Sequence, residues 1–173
     1  MFRLIPLLAL FCLGCVAEQP ESARTVAAFE VPLPTPTDKQ DFLEVLREVA
    51  EARGYHVDAW SDGELRHISE LTPITFNASV WRGNDQESMA SAMDFSDRIG
   101  RVWISFPQGE DPERSTEFRE ALMLKIEERW PETASLPIMP NGAIPNPRDL
   151  VRTPSGYEVE PSEASKYSAP EPG

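Results

Sequence analysis

Few residues in this chain could act in acid–base or metal chemistry. It contains two histidines, His56 and His67, whose separation of eleven residues fits no common metal-binding motif. Asp94 and Asp97 flank a turn, but paired acids catalyse hydrolysis only where the surroundings raise the pKa of one of them. Aspartates at a strand end more often form turns. The sequence therefore predicts no catalytic residue, no metal ligand and no cofactor site.

The two cysteines, Cys12 and Cys15, lie at the end of an apolar segment. Arg3 precedes a run of about ten apolar residues, 4–13, interrupted only by Pro6, and this length is typical of a secretory signal peptide. A helix that spans a membrane needs about 20 apolar residues, and no later run approaches that length. Residues 1–14 are therefore predicted to be a signal peptide.

The sequence Cys12-Leu13-Gly14-Cys15 resembles the lipobox of bacterial lipoproteins. Gly14 is the small residue before the modified cysteine, whereas Cys12 occupies a position where that family usually has leucine. The resemblance implies that Cys15 is lipidated and becomes residue one of the mature chain, held on a membrane by at least two acyl chains. Val16 follows, where aspartate would resemble an inner-membrane retention signal. The absence of aspartate at this position favours attachment to the outer membrane, on the side that faces the periplasm.

Ordinary secretion is the alternative for this end of the chain. Cys15-Val16-Ala17 is also a small-x-small cleavage site, and cutting after Ala17 would release a soluble periplasmic or secreted protein.

Acidic residues dominate the charge. There are 29 Asp and Glu against 16 Lys and Arg, which gives a formal net charge of −13. Proteins bind phosphate backbones by neutralising them with Lys and Arg, so nucleic acid is excluded as a partner. The charge favours solubility or attraction to a basic protein.

Proline content divides the chain. Residues 15–37 are predicted to be a flexible Pro-rich tether, and 38–131 to be the folded α+β domain. The Pro-rich segment 132–153 is too apolar for a plain disordered tail, so we expect it to pack on the domain in extended form. Acids, Ser and Pro in 154–173 predict a disordered acidic tail.

Hydrophobic periodicity predicts the elements of the domain. A first helix, with Thr37 or Asp38 as N-cap and Gln40 completing a capping box, ends at Gly54. A second helix starts at Pro112 and stops at Pro131. Alternation predicts strands over 55–60, 74–81, 88–95 (where Met and Ala also suit a helix) and 101–106, with loose helical turns over 65–71. The fold class is α+β, a two-layer sandwich of an antiparallel sheet of about four strands with two main helices on one face.

Two tryptophans on the strands suggest a binding surface. Trp81 and Trp103 alternate with the apolar stripes, and Arg82 and Arg101 adjoin them. Trp and Arg are enriched at binding hot spots, so these four residues could bind a protein or a glycan on the outer sheet face. The alternative is that the Pro-rich C-terminal segment folds over this face and covers the tryptophans.

Taken together, these features predict a lipid-anchored, non-catalytic envelope protein that binds an unidentified envelope protein as an accessory module. An immunity protein against an envelope-acting toxin is one member of that class. The competing class is a small periplasmic enzyme acting on envelope material through His56, His67, Asp94 or Asp97.

Overall fold

Two helices and eight strands make up the described part of the chain, residues 20–60, 76–94 and 100–168 of a computed structural model. The helices are α1 (Pro36–Glu51) and α2 (Pro112–Arg129). The strands are β1 (Thr25–Pro32), β2 (His56–Trp60), β3 (Asn77–Arg82), β4 (Glu87–Asp94), β5 (Arg101–Pro107), β6 (Ala134–Ser135), β7 (Leu150–Thr153) and β8 (Gly156–Val159).

Six strands form one antiparallel sheet in the order β2-β3-β4-β5-β1-β6. Both helices contribute to a single core on one face of this sheet, where Phe42 and Leu46 of α1 and Phe118, Leu122 and Ile126 of α2 are buried. The predicted α+β sandwich is confirmed. The sheet has six strands rather than about four, because β1 and β6 lie outside the segment predicted to fold.

Strand β1 corrects the predicted tether. It lies inside the sheet, paired with β5 on one side and β6 on the other. Val31 and, just beyond the strand, Leu33 are fully buried. Proline is tolerated at the end of a strand, so Pro32 ends β1 without disrupting its pairing. A flexible tether over 15–37 is therefore wrong for residues 21–37.

The N-cap of helix α1 is Thr35, two residues before the predicted Thr37. The Thr35 hydroxyl accepts the Asp38 backbone N–H at 3.1 Å, and the Asp38 carboxylate accepts the Thr35 backbone N–H at 3.0 Å. Pro36 occupies the first helical position, where its fixed φ favours helix initiation. The capping box predicted at Thr37 and Gln40 is wrong, because the box lies two residues earlier, at Thr35 and Asp38. Gly54, with φ of 71°, follows the helix end as predicted.

The second helix begins at Pro112, as the sequence predicted, and the Asp111 carboxylate caps it by accepting the Arg114 backbone N–H at 3.2 Å. None of the helices in the described ranges is long and apolar enough to cross a membrane. The predicted turns over 65–71, the turn at Asp97, and Cys15 with the signal segment lie outside the described residues.

The C-terminal segment packs on the outer face of the sheet, the face opposite the helices. Leu136, Leu150 and Tyr157 bury Trp103 and Ala28 in a second apolar cluster. Ala134, Leu136 and Leu150 of segment 132–153 are buried in this cluster. The disordered tail is wrong for residues 154–168, because β8 pairs with β7 and a 3-10 turn follows at Ala164–Tyr167.

Candidate binding groove on the outer sheet face

Serines line the middle of the outer sheet face. Ser79 on β3 is in register with Ser91 on β4, which is in register with Ser105 on β5. All three are partly exposed. Because the neighbouring core-facing residues alternate with them, these strands present small hydroxyl side chains to the outside. The result is a shallow polar floor with space above it.

A groove of about 430 Å³ lies over this floor. Ser88, Ser91 and Ser105 are among its lining residues. Trp81 of β3 borders it on one side, and Pro20 and Ser22, which precede β1, border it on the other. The groove therefore lies between the middle of the sheet and the first described residues of the chain.

Backbone hydrogen bonds fix the N-terminal wall of the groove. Gly109 donates to the carbonyl oxygen of Ser22 at 2.9 Å, and Gln108 donates to that of Arg24 at 2.8 Å. Both donors directly follow β5, so residues 20–24 are tied to the sheet. This wall is part of the folded domain.

A buried carboxylate closes one end of the groove. Glu87 accepts hydrogen bonds from Arg82 at 3.1 Å, from Arg114 at 3.0 Å and from the backbone N–H of Glu110 at 2.9 Å. Burial acts to raise the pKa of Glu87, but these three donors outweigh it and hold that pKa below its ordinary value. Glu87 is thus an ionised structural residue at neutral pH, unsuited to act as a general acid.

The structure separates the four residues predicted to form one binding surface. Trp81 is in register with Ser88, whereas Trp103 is in register with Met93, five residues further along β4. Trp81 is partly exposed in the groove, but Trp103 is only 5% exposed beneath the C-terminal segment. The C-terminal segment therefore covers Trp103, as the alternative predicted, whereas among residues 20–60, 76–94 and 100–168 none covers the Trp81 end of the face completely.

Arg101 and Trp103 instead bind a buried glutamate that the sequence analysis had placed in the tether. Glu30 on β1 accepts Arg101 at 2.8 Å, the Trp103 indole N–H at 3.0 Å and the Tyr157 hydroxyl at 2.5 Å. Burial acts to raise the pKa of Glu30, but the hydrogen bonds from Tyr157, Trp103 and Arg101 lower it overall. The short apolar run at 26–29, a pattern compatible with a strand buried on both faces, was the signal that could have revealed this strand.

Of the residues named for possible catalysis, the two that the structure describes, His56 and Asp94, do not share one site. Asp94 is fully buried and accepts the Lys39 ammonium at 2.8 Å and the Phe76 backbone N–H at 2.8 Å. His56 is in register with Trp81 at the other end of the sheet. His67 and Asp97 lie outside the described residues.

His56 does meet two aspartates that spacing alone did not connect to it. Its Nε2 contacts Asp85, and one donor atom from each of His56, Asp58 and Asp85 lie within 4.8 Å of one another. Asp85 comes from the turn between β3 and β4, 29 residues after His56, so spacing along the chain did not reveal the cluster. Exposed acidic groups of this kind are common without a metal, and we assign the contact to a hydrogen bond between His56 of β2 and the turn that joins β3 to β4.

No protein-family model matches the chain, and no curated protein matches its sequence. Its function must therefore be inferred from these residues.

Proposed function

We propose that this chain is a lipid-anchored, non-catalytic envelope protein that binds a partner protein through the groove beside Trp81. The observation that carries the proposal is the partly exposed Trp81 at the border of a groove of about 430 Å³. Cavities of roughly 300–1,000 Å³ can enclose a ligand group, and tryptophan is enriched at the centres of interfaces. A protruding side chain of a partner fits this space.

The charges around the groove favour a basic partner segment. Within the part of the chain that the structure describes, the charged lining residues are Glu87 and Glu110, and no Lys or Arg lines the groove. Glu87 is already paired with Arg82 and Arg114, so Glu110 is the lining carboxylate open to a partner. Glu110 is exposed, so it can accept a hydrogen bond from an incoming Lys or Arg. With a net charge of −13 over the whole chain, a nucleic acid is a poor alternative.

The lipid anchor is proposed from the resemblance of Cys12-Leu13-Gly14-Cys15 to a lipobox. Cells fed radioactive palmitate are expected to label the native chain, whereas the Cys15→Ser variant should take up no label and leave the membrane fraction. Labelling of the variant, or a native chain without label, would contradict the anchor.

The groove is tested with two tryptophan variants. Trp81→Ala should weaken partner binding at least tenfold, since truncating a hot-spot residue costs about 2 kcal/mol or more. Trp60→Ala is the matched control, because Trp60 is 37% exposed and is not among the lining residues. Binding is measured by quantitative in-cell photocrosslinking, with circular dichroism to verify folding. Equal losses in both variants, or none in Trp81→Ala, would disprove the groove as the binding site.

A further inference from the structure

The folded domain begins very close to the proposed lipid. Pro20 is the first described residue and Glu21–Ala23 already form a 3-10 turn. Cys15 precedes Pro20 by only five residues. A fully extended chain spans at most about 3.5 Å per residue, so the Cα atoms of Cys15 and Pro20 lie within about 18 Å of each other.

The residues at which the tether joins the domain also line the groove. Pro20 and Ser22 line it, and the hydrogen bond between Gly109 and Ser22 ties this wall to the end of β5. A domain of about 150 residues is roughly 40 Å across. Because the reach of the tether is less than half of that, the side of the domain that bears the groove must stay near the bilayer while the opposite side points away.

We infer that the groove opens next to the membrane surface, where it binds the membrane-proximal segment of another protein, rich in Lys or Arg. This inference rests on the proposed lipidation of Cys15. A phospholipid headgroup is a poorer occupant, since recognition of anionic headgroups needs Lys or Arg. Among the described lining residues the charged groups are Glu87, which Arg82 and Arg114 already neutralise, and the exposed Glu110.

The orientation is tested by energy transfer from single thiols to an acceptor lipid in vesicles. The chain has two cysteines, and the mature lipoprotein would keep only the acylated Cys15, so one added cysteine provides a unique labelling site. Gln86→Cys places the donor at the groove. Leu124→Cys is the control, because Leu124 is 71% exposed on α2, in the helical layer across the sheet.

Transfer should be at least threefold more efficient from position 86 than from position 124. Inserting ten Gly and Ser residues between Gln19 and Pro20 should reduce that ratio towards one. Equal transfer from both sites in the uninserted protein, with vesicle binding intact, would overturn the orientation. Loss of vesicle binding would instead overturn the lipid anchor, so the two failures are distinguishable.

The occupant is tested by a photocrosslinking amino acid at position 86 in cells. We expect the crosslinked peptide to lie within about ten residues of a membrane span or of a lipidated cysteine in the partner, and to contain Lys or Arg. The ten-residue insertion should reduce its yield at least threefold. Crosslinks only to phospholipid, or only to proteins without a membrane attachment, would overturn the assignment.

Discussion

Buried carboxylates are the main residue-scale feature of this acidic chain. Each is paired with one or two of the few cations: Glu30 with Arg101, Glu87 with Arg82 and Arg114, and Asp94 with Lys39. A buried charge is tolerated only where hydrogen bonds and an opposite charge replace its hydration. The pairs with Arg101, Arg114 and Lys39 therefore link elements that are far apart in the sequence, whereas Arg82 and Glu87 face each other across the β3–β4 turn.

The buried carboxylates Glu30 and Glu87 predict that the folded state loses stability at low pH. The pKa values of Glu30 and Glu87 are lowered from the ordinary value of 4.5, so their ionised forms stabilise the folded state. That contribution is fully present above about pH 4.5 and is lost as the pH falls through the lower values of the folded protein. When urea unfolding is measured between pH 3 and pH 7, the free energy of unfolding should fall as the pH drops below about 4.5.

Removing the Glu30 charge should flatten part of this pH dependence. Glu30→Gln is expected to lower the free energy of unfolding at pH 7 by about 2 kcal/mol, because three donors lose a charged acceptor. Glu158→Gln, at an exposed position, serves as the control and should change little. An unchanged acid slope in Glu30→Gln would show that Glu30 is not ionised in the folded protein.

At the scale of elements, the junction between β5 and α2 depends on a glycine. Gly109 has a φ of 76°, and a Cβ there would lie 2.1 Å from the Ser115 hydroxyl oxygen and 3.1 Å from a Glu87 carboxylate oxygen. The same residue donates to Ser22 in the groove wall. Its substitution therefore disturbs both a helix start and the groove.

Two glycine variants separate backbone strain from steric overlap. Gly54→Ala, at a φ of 71° with nothing within 4 Å, should cost about 1 kcal/mol from backbone strain alone. Gly109→Ala should cost more than about 2 kcal/mol, since Ser115 must also move. Urea unfolding measures the two losses, because a shift of the midpoint at an unchanged m-value is a change in the free energy of unfolding. Equal losses would mean that the junction relaxes around the added methyl group.

At the scale of the whole molecule, the C-terminal segment covers part of the outer face of the six-stranded sheet. Leu136, Leu150 and Tyr157 cover Trp103, and the Tyr157 hydroxyl reaches Glu30 on β1. The outer face is thus divided into a half closed by the chain itself and a half containing the groove. The proposed binding site exists because the covering segment leaves the β3–β4 side of this face open.

Truncation after Ser135 tests this division. Trp103 should become solvent exposed, its fluorescence should shift to longer wavelength, and the free energy of unfolding should fall by more than about 3 kcal/mol. Truncation after Ser168 is the control and should leave both unchanged. A chain ending at Ser135 with native fluorescence and stability would show that the C-terminal segment contributes nothing to the fold.

Much of the fold followed from periodicity, and the exceptions have clear causes. The apolar stripe of α1, the start of α2 at Pro112 and the alternation of β3 and β5 identified those elements, because each pattern is local. Strand β1 was missed because the prolines at 32, 34 and 36 led to its assignment to the tether, although residues 26–29 form a short apolar run that suits a buried strand. The cap of α1 was misplaced by two residues for a related reason: Pro36 favours the earlier start.

The sequence by itself determined the α+β class, the two amphipathic helices and the acidic charge, and it predicts the lipid anchor at Cys15. These are properties of composition and of short-range spacing. Only the tertiary structure decided that Trp103 is covered while Trp81 is partly exposed, that Glu30 is buried, and that Pro20 borders the groove. Exposure depends on contacts between residues far apart in the chain, such as Glu30 and Tyr157, and no local pattern encodes which of two equivalent strand faces a later segment will cover.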